Sequence, residues 1–368
     1  MANTSFTRRN FIASVATAAA AVSLPQVASA VSSENSDIPD YSTRKRTNAG
    51  PIKILCTQNL SAKHIEQIRA AGKNINLITT RDNGEISKNI ADAEVILGSI
   101  DDNLFAQAKE LKWMQTFAAG VENMSKELKE HPCLVSNMQR IYAPVISETA
   151  IGLLLSLTRG LAQVSIPAFA QRKYMYPGDE TPLVDLYGKT IGIVGMGGIG
   201  SETARRLHYG FKMRVLATDA KPLPKPDFVE ELRDPTWFME MVPQVDVLMS
   251  AAPLTPVTKQ MFNSSVFNSM KPGAYFINVS RGGLVDQGAL VKALKEKRIQ
   301  GAGLDVATPE PLPADSPLWT CPNLVITPHN SGNAPVRQER LVALVAENVR
   351  RYSNGLPLKN IVDKVKGY

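Results

Sequence analysis

From Pro51 onward, short apolar runs of strand length alternate with stretches of helical character. Ile52–Cys56 reads as a β-rich run, followed by a helix over Ala62–Ala71. Ile75–Thr79, Val95–Leu97 and Trp113–Phe117 are further apolar runs of buried-strand length. Length and apolar content then predict a long buried helix from about Val145 to Arg159. After Tyr176-Pro177-Gly178 a second series begins, with strands expected over Thr190–Val194, Arg214–Ala217, Asp246–Met249, Tyr275–Asn278, Gly303–Val306 and Val325–Thr327. A last helix, about Val336–Tyr352, places Leu341, Leu344, Val345 and Val349 on one face, as a docking helix should. Strands alternating with helices predict parallel sheets covered by helices. Two α/β units are expected, with the chain returning to the first at its end.

The N-terminus follows another pattern. Thr7-Arg8-Arg9-Asn10-Phe11 leads into an apolar run to Leu24, then Ala28-Ser29-Ala30, with no acidic residue before Glu34. A charged start, a short apolar middle and a small-residue end predict a removable export signal over residues 1–30. The arginine pair resembles a twin-arginine signal, an address read by export machinery. A periplasmic or otherwise exported protein is expected, with a cytoplasmic one as the alternative, and residues 31–50 read as a solvated linker.

Composition excludes several classes. Hydrophobic residues at 44% and charged residues at 20% are ordinary globular values. The formal charge of +7 falls to +5 without Arg8 and Arg9. The remaining positives are scattered apart from Arg44-Lys45-Arg46, so no nucleic-acid footprint is expected. Cys56, Cys133 and Cys321 are far apart and lack metal spacing, so they read as buried small hydrophobes.

The strongest local motif is Gly195-Met196-Gly197-Gly198-Ile199-Gly200, between the strand ending at Val194 and a helical stretch over Glu202–Leu207. The first glycine permits a tight turn, the second lets backbone approach a pyrophosphate, and the third allows close helix–strand packing. The next strand leads to Asp219, nineteen residues beyond Gly200, where an acid meets adenosine ribose hydroxyls. A carboxylate there repels a 2′-phosphate, so NAD is expected rather than NADP.

Other chemistry sits at later strand ends, where open α/β sheets place ligands. Arg281 follows Asn278-Val279-Ser280, and its planar guanidinium suits a carboxylate. Gly303-Leu304-Asp305-Val306 leads to Glu310, and Thr327-Pro328-His329 ends the last strand. Of His64, His131, His208 and His329, only the last follows a buried-looking strand near the other candidates. His329 suits an acid–base role because imidazole ordinarily titrates near neutrality. Glu310, bonded to it, would favour the imidazolium.

With Pro253-Leu254-Thr255, Met270-Lys271-Pro272-Gly273, Asn278–Gly283 and Glu310-Pro311-Leu312, these motifs resemble the D-isomer-specific 2-hydroxyacid dehydrogenases over about residues 90–350. The resemblance implies hydride transfer between NAD and a small 2-hydroxy or 2-oxo acid, with Arg281, Glu310 and His329 as the catalytic trio. It implies backbone N–H groups of Ala119, Gly120 and Val121 at the substrate carboxylate, and Asp305 at the nicotinamide carboxamide. Gly195, Gly197, Gly198, Ile199, Gly200, Asp219, Ala252, Val279 and Ser280 would hold or line the cofactor. The implied fold is two doubly wound parallel-sheet domains. A Rossmann nucleotide domain (150–329) is inserted into a flavodoxin-like substrate domain (51–149 and 330–368) and mediates a homodimer. Departures are Ala251-Ala252 before Pro-Leu-Thr, Glu122 for a frequent Asp, Thr308 for an acid, and the polar Asn330-Ser331-Gly332. Alternatives are a nicotinamide-sensing binding protein on the same scaffold and a phosphite-type dehydrogenase.

Overall fold

A computed structural model describes residues 50–179 and 183–368. The expected export signal and all but the last residue of the expected linker lie outside the described residues.

Two sheets carry the architecture. The first contains β1 (Ile52–Cys56), β2 (Ile75–Thr79), β3 (Val95–Leu97), β4 (Trp113–Gln115) and β5 (Leu134–Ser136), in the order β2-β1-β3-β4-β5. The second contains β6 (Thr190–Val194), β7 (Arg214–Thr218), β8 (Glu231–Arg233), β9 (Val247–Ser250), β10 (Tyr275–Asn278), β11 (Gly301–Leu304) and β12 (Leu324–Ile326). Its order is β12-β11-β10-β9-β6-β7-β8. Every strand pairing in both sheets is parallel. The first order is flavodoxin-like and the second is the dinucleotide-binding one extended by a strand. Each sheet therefore has a switch point, β1/β3 in the first and β6/β9 in the second, where connections leave in opposite directions and open a crevice.

Five helices matter for the site: α1 (Ala62–Arg69), α2 (Ala143–Thr158), α3 (Gly198–Phe211), α4 (Gln287–Lys295) and α5 (Arg337–Ser353). In α2, Pro144 occupies the first turn, where its missing N–H costs no hydrogen bond. Its Leu153 and Leu157 pack directly on β11. A Cβ on Gly303 would lie 2.8 Å from that of Leu153, and one on Gly301 3.2 Å from a Leu157 methyl. The glycines thus admit the helix, and β11 begins at Gly301, two residues before the expected start. The chain returns to the first sheet through α5, whose Leu341, Val342, Val345 and Val349 join Ile54, Val95 and Trp113 in one core. Asn348 then donates from α5 to Gln115 Oε1 at 2.9 Å, inside that core.

Several local expectations are corrected. β4 stops at Gln115 rather than Phe117, and the Thr116 hydroxyl beyond it donates to the Ala118 carbonyl. β12 runs Leu324–Ile326, one residue earlier than expected. Leu344 is only half-buried, and Val342 takes the inward position beside Leu341. β5 and β8 were not expected; both are three-residue outer strands with little periodicity to read. Cys56 and Cys133 are buried, whereas Cys321 is only partly so. Burial pushes the Cys133 thiol up to about 11.

Candidate active site

The glycine loop at the β6/β9 switch point has the geometry its sequence demands. Gly195 has φ +97, and its Cα face lies on the Ala251 and Ala252 backbone, where a Cβ would come within 2.8 Å. Gly200 packs under the same turn: a Cβ there would lie 2.0 Å from the Gly195 carbonyl oxygen. Gly197, the N-cap of α3, has nothing within 4 Å of its missing Cβ, so this face is open to a ligand. Among the described residues, none accepts from the N–H groups of Gly198 or Ile199, which begin the helix. Asp219, one residue past β7, accepts from Met196 N at 2.7 Å and Lys221 N at 2.8 Å, which holds its carboxylate against the loop. An open face, free helix N-terminal donors and a fixed carboxylate together fit a dinucleotide.

Two further basic residues flank this crevice. Arg140 packs on Gly198, whose Cβ would lie 2.8 Å from the Arg140 Cα. Lys221 Nζ sits 4.9 Å from the Tyr368 ring centroid, and burial pushes its ammonium below its ordinary value. No local motif marks Arg140, which arrives from the connection after β5. Ala252, Val279 and Ser280 lie at the ends of β9 and β10 and are buried, with the Ser280 hydroxyl donating to the Ala252 carbonyl.

Arg281 is placed by Asn278, the last residue of β10. Asn278 Nδ2 donates to the Arg281 carbonyl at 2.9 Å, and Asn278 Oδ1 accepts from Ser280 N at 3.1 Å. The guanidinium crosses to the first sheet's loop, where Nε donates to Glu122 Oε1 at 2.5 Å. Burial pushes the Glu122 carboxyl up, but the hydrogen bond and charge of Arg281, its own N–H and nearby His329 outweigh it. The group therefore sits below its ordinary value. Arg281 Nη2 lies over Gly120, where a Cβ would be only 2.0 Å away. Among the described residues, none accepts from the N–H groups of Ala119, Gly120 or Val121.

His329 and Glu310 meet on the other side. His329 Nδ1 is 2.7 Å from Glu310 Oε2, and Glu310 Oε1 accepts from Ala307 N at 2.9 Å. Gly282 connects the two halves: a Cβ on it would lie 2.0 Å from the Ala307 carbonyl oxygen, so only glycine lets the Arg281 turn rest there. His329 has φ +49, a left-handed conformation uncommon for histidine. Asp305 holds it there. The Asp305 carbonyl accepts from His329 N at 2.8 Å. Its carboxylate, fully buried, accepts from Thr327 Oγ1 at 2.6 Å, from Asn330 N and Ser331 N at 3.2 Å each, and from the Ser331 hydroxyl. Asp305, expected to meet a carboxamide, thus also has a structural role, because its oxygens already collect the loop that presents His329.

The trio Arg281, Glu310 and His329 is therefore brought together with Ala119–Val121, and Glu122 completes the set. Sequence reasoning noted Glu122 only as a departure from pattern. Its partner is 159 residues away, so no local signal pairs them.

Known proteins resemble the chain over most of its length. Residues 151–331 match the D-isomer specific 2-hydroxyacid dehydrogenase, NAD binding domain. The chain is 32% identical over 279 residues to a glyoxylate/hydroxypyruvate reductase B of Escherichia fergusonii, covering 74% of this chain and 85% of that one. A D-isomer specific 2-hydroxyacid dehydrogenase family protein from Aeromonas salmonicida superposes with TM-score 0.72 at 30% identity, over 85% of this chain and 99% of the other. An NADPH-dependent glyoxylate/hydroxypyruvate reductase from Sinorhizobium meliloti, solved with NADP and sulfate, superposes with TM-score 0.72 at 25% identity, over 86% and 99% of the two chains.

Proposed function

The chain belongs to the D-isomer-specific 2-hydroxyacid dehydrogenase family, an oxidoreductase with an NAD-binding domain, and on that premise we propose that it interconverts a small D-2-hydroxy acid and its 2-oxo acid, using NAD. The carrying observation is the Nδ1–Oε2 contact of 2.7 Å between His329 and Glu310. It leaves Nε2 as the imidazole nitrogen turned away from Glu310. A nicotinamide cofactor held by the glycine loop and Asp219 would supply or accept the hydride. Arg281 Nη2 and the unpaired N–H groups of Ala119–Val121 take the substrate carboxylate, a planar anion that a guanidinium and backbone donors can share. His329 Nε2 gives a proton to the carbonyl oxygen in reduction and removes it from the hydroxyl in oxidation. Glu310 orients the ring, while Glu122 keeps the guanidinium turned toward Gly120.

The Asp219 carboxylate supports NAD over NADP, since a 2′-phosphate would be repelled by it. The Sinorhizobium relative is named as NADPH-dependent, so the kcat/KM ratio for NADH over NADPH is a direct test, and a preference for NADPH would refute this reading of Asp219. The family resemblance supports a homodimer through the nucleotide domain. Arg8-Arg9 and Ala28-Ser29-Ala30 support export, which fractionation of cells into cytoplasm and periplasm tests.

The reaction itself is tested with a panel of 2-oxo acids and both reduced nicotinamides. His329→Ala should lower turnover by about a hundredfold or more, the scale of losing a general acid–base group. Glu310→Gln should lower turnover, because the imidazole loses the carboxylate that orients it. Near-normal turnover of His329→Ala at saturating substrate would refute the acid–base assignment.

A further inference from the structure

The first sheet has its own switch point, between β1 and β3, and a cavity of about 650 Å³ opens there. At about 30 Å³ per water that is room for roughly twenty molecules, far more than a two-carbon oxo acid needs. Its lining includes Gln58 and Asn59 after β1, Ser99 after β3, Phe117 after β4, and two arginines, Arg81 and Arg337.

The charge in this cavity is unbalanced. One carboxylate lines it, Asp101, and its Oδ1 is occupied, accepting from Leu104 N at 2.9 Å to cap the following helical turn. Arg337 is held in place by neutral partners: its Nη1 donates to Asn333 Oδ1 at 2.9 Å and its guanidinium lies 5.4 Å from the Tyr142 ring centroid. Arg81 makes no hydrogen bond or ion pair with any described residue. Two guanidinium groups without a carboxylate partner, facing one polar cavity, favour an anionic occupant.

The cavity is also joined to the proposed reaction centre by one short loop. Phe117 lines the cavity, and three residues later Gly120 lies beneath Arg281 Nη2. Three residues of extended chain span at most about 10 Å, so a molecule held at Gly120 by one carboxylate has the cavity wall within that distance. Gly98, at φ +131, lets the β1 loop close this wall: Thr57 Oγ1 donates to the Ser99 carbonyl at 3.0 Å, across the place a Gly98 side chain would fill.

We propose that this cavity receives the far end of the substrate and that this end carries a second carboxylate, so the preferred substrates are 2-oxo diacids and their D-2-hydroxy counterparts. The inference rests on the hydride-transfer reading above, with Arg281 holding the first carboxylate while Arg81 and Arg337 select for the second.

The test compares 2-oxoglutarate with 2-oxohexanoate, an acid of similar length without the far charge. The diacid should be preferred in kcat/KM by about tenfold or more, the scale of one charge-assisted hydrogen bond gained. Arg81→Gln and Arg337→Gln should each shrink that ratio severalfold, mostly through KM, while Arg81→Lys, which keeps the charge, should preserve most of it. A ratio near one, or a ratio that neither glutamine variant alters, overturns the proposal. If neither nicotinamide supports reduction of any oxo acid, the hydride-transfer reading fails, and thermal stabilisation by glutarate against pentanoate still decides the cavity. A shift with glutarate alone that Arg81→Gln abolishes supports a dianion site; equal shifts overturn it.

Discussion

Gly120→Ala isolates the geometry of the Arg281 guanidinium from the stability of the fold. The backbone φ at Gly120 lies outside the left-handed region, so alanine is tolerated by the main chain. The added Cβ would lie 2.0 Å from Arg281 Nη2 and 2.3 Å from Glu122 Oε2, against 3.4 Å for ordinary contact, so the guanidinium must retreat by about 1.4 Å. Both colliding atoms end flexible side chains, and moving them leaves the core untouched. Stability should therefore change by less than about 1 kcal/mol, as for other substitutions outside the core. Activity should not be spared. A misplacement of about 1 Å at a positioning group can cost about a hundredfold, equivalent to about 2.7 kcal/mol of transition-state stabilisation. Steady-state oxidation of reduced nicotinamide by a 2-oxo acid should show kcat/KM falling by about that factor, with the melting temperature close to that of the parent. A double-mutant cycle sharpens the test: with Arg281 already replaced by alanine, Gly120→Ala should cost little more, since its effect runs through that side chain. Retention of kcat/KM within about threefold, or an equal further loss in the Arg281→Ala background, would refute the reasoning.

Gly282→Ala should behave oppositely. Its Cβ would meet the Ala307 carbonyl oxygen at 2.0 Å and its carbon at 2.1 Å, backbone atoms that cannot rotate away. Chemical denaturation should show a loss of about 1–3 kcal/mol or more, and an unchanged midpoint would contradict the close approach. Asp305→Ala strips the acceptor from Thr327, Asn330 and Ser331 in a fully buried place. It should cost about 3 kcal/mol and lower turnover by releasing the His329 loop; full activity at unaltered stability would refute its anchoring role. Glu347 is pulled down to about 2, first by the Arg350 hydrogen bond and then, against some burial, by Arg351. A carboxylate lowered on folding stabilises the protein above its ordinary value of 4.5, and that contribution is lost as pH falls toward 2. The stability difference between the parent and Glu347→Gln should be full at neutral pH and shrink through that window, so a pH-independent difference would disprove the coupling.

Elements with a strong local signal were legible. Strands β1, β3, β6 and β10 start and stop where their apolar runs do, because strands with both faces covered must be apolar along their length; the edge strand β2 also keeps its expected bounds, although Asn76 and Thr79 are exposed. The glycine loop and Asp219 were legible for a related reason, since each glycine answers a steric demand set within one strand–turn–helix unit. Outer strands such as Glu231–Arg233 bury less and leave a weaker trace. The displaced start of β11 shows the limit of local reading, since Gly301 is strand through its pairing with Tyr275, with Leu157 of α2 occupying the space beside it.

What the amino-acid order determined by itself was the class of fold, the phosphate-binding turn and which strand ends carry an arginine, a glutamate and a histidine. All of these depend on residues within a few positions of one another. What only the tertiary structure decided was pairing. Glu122 bonds Arg281 across 159 positions, Asp305 gathers the His329 loop, and Arg81 and Arg337 come to one cavity from opposite ends of the chain. Charges and hydrogen bonds act over a few ångströms of space and take no account of sequence separation, so the partners were settled only when the two sheets and their connections were packed.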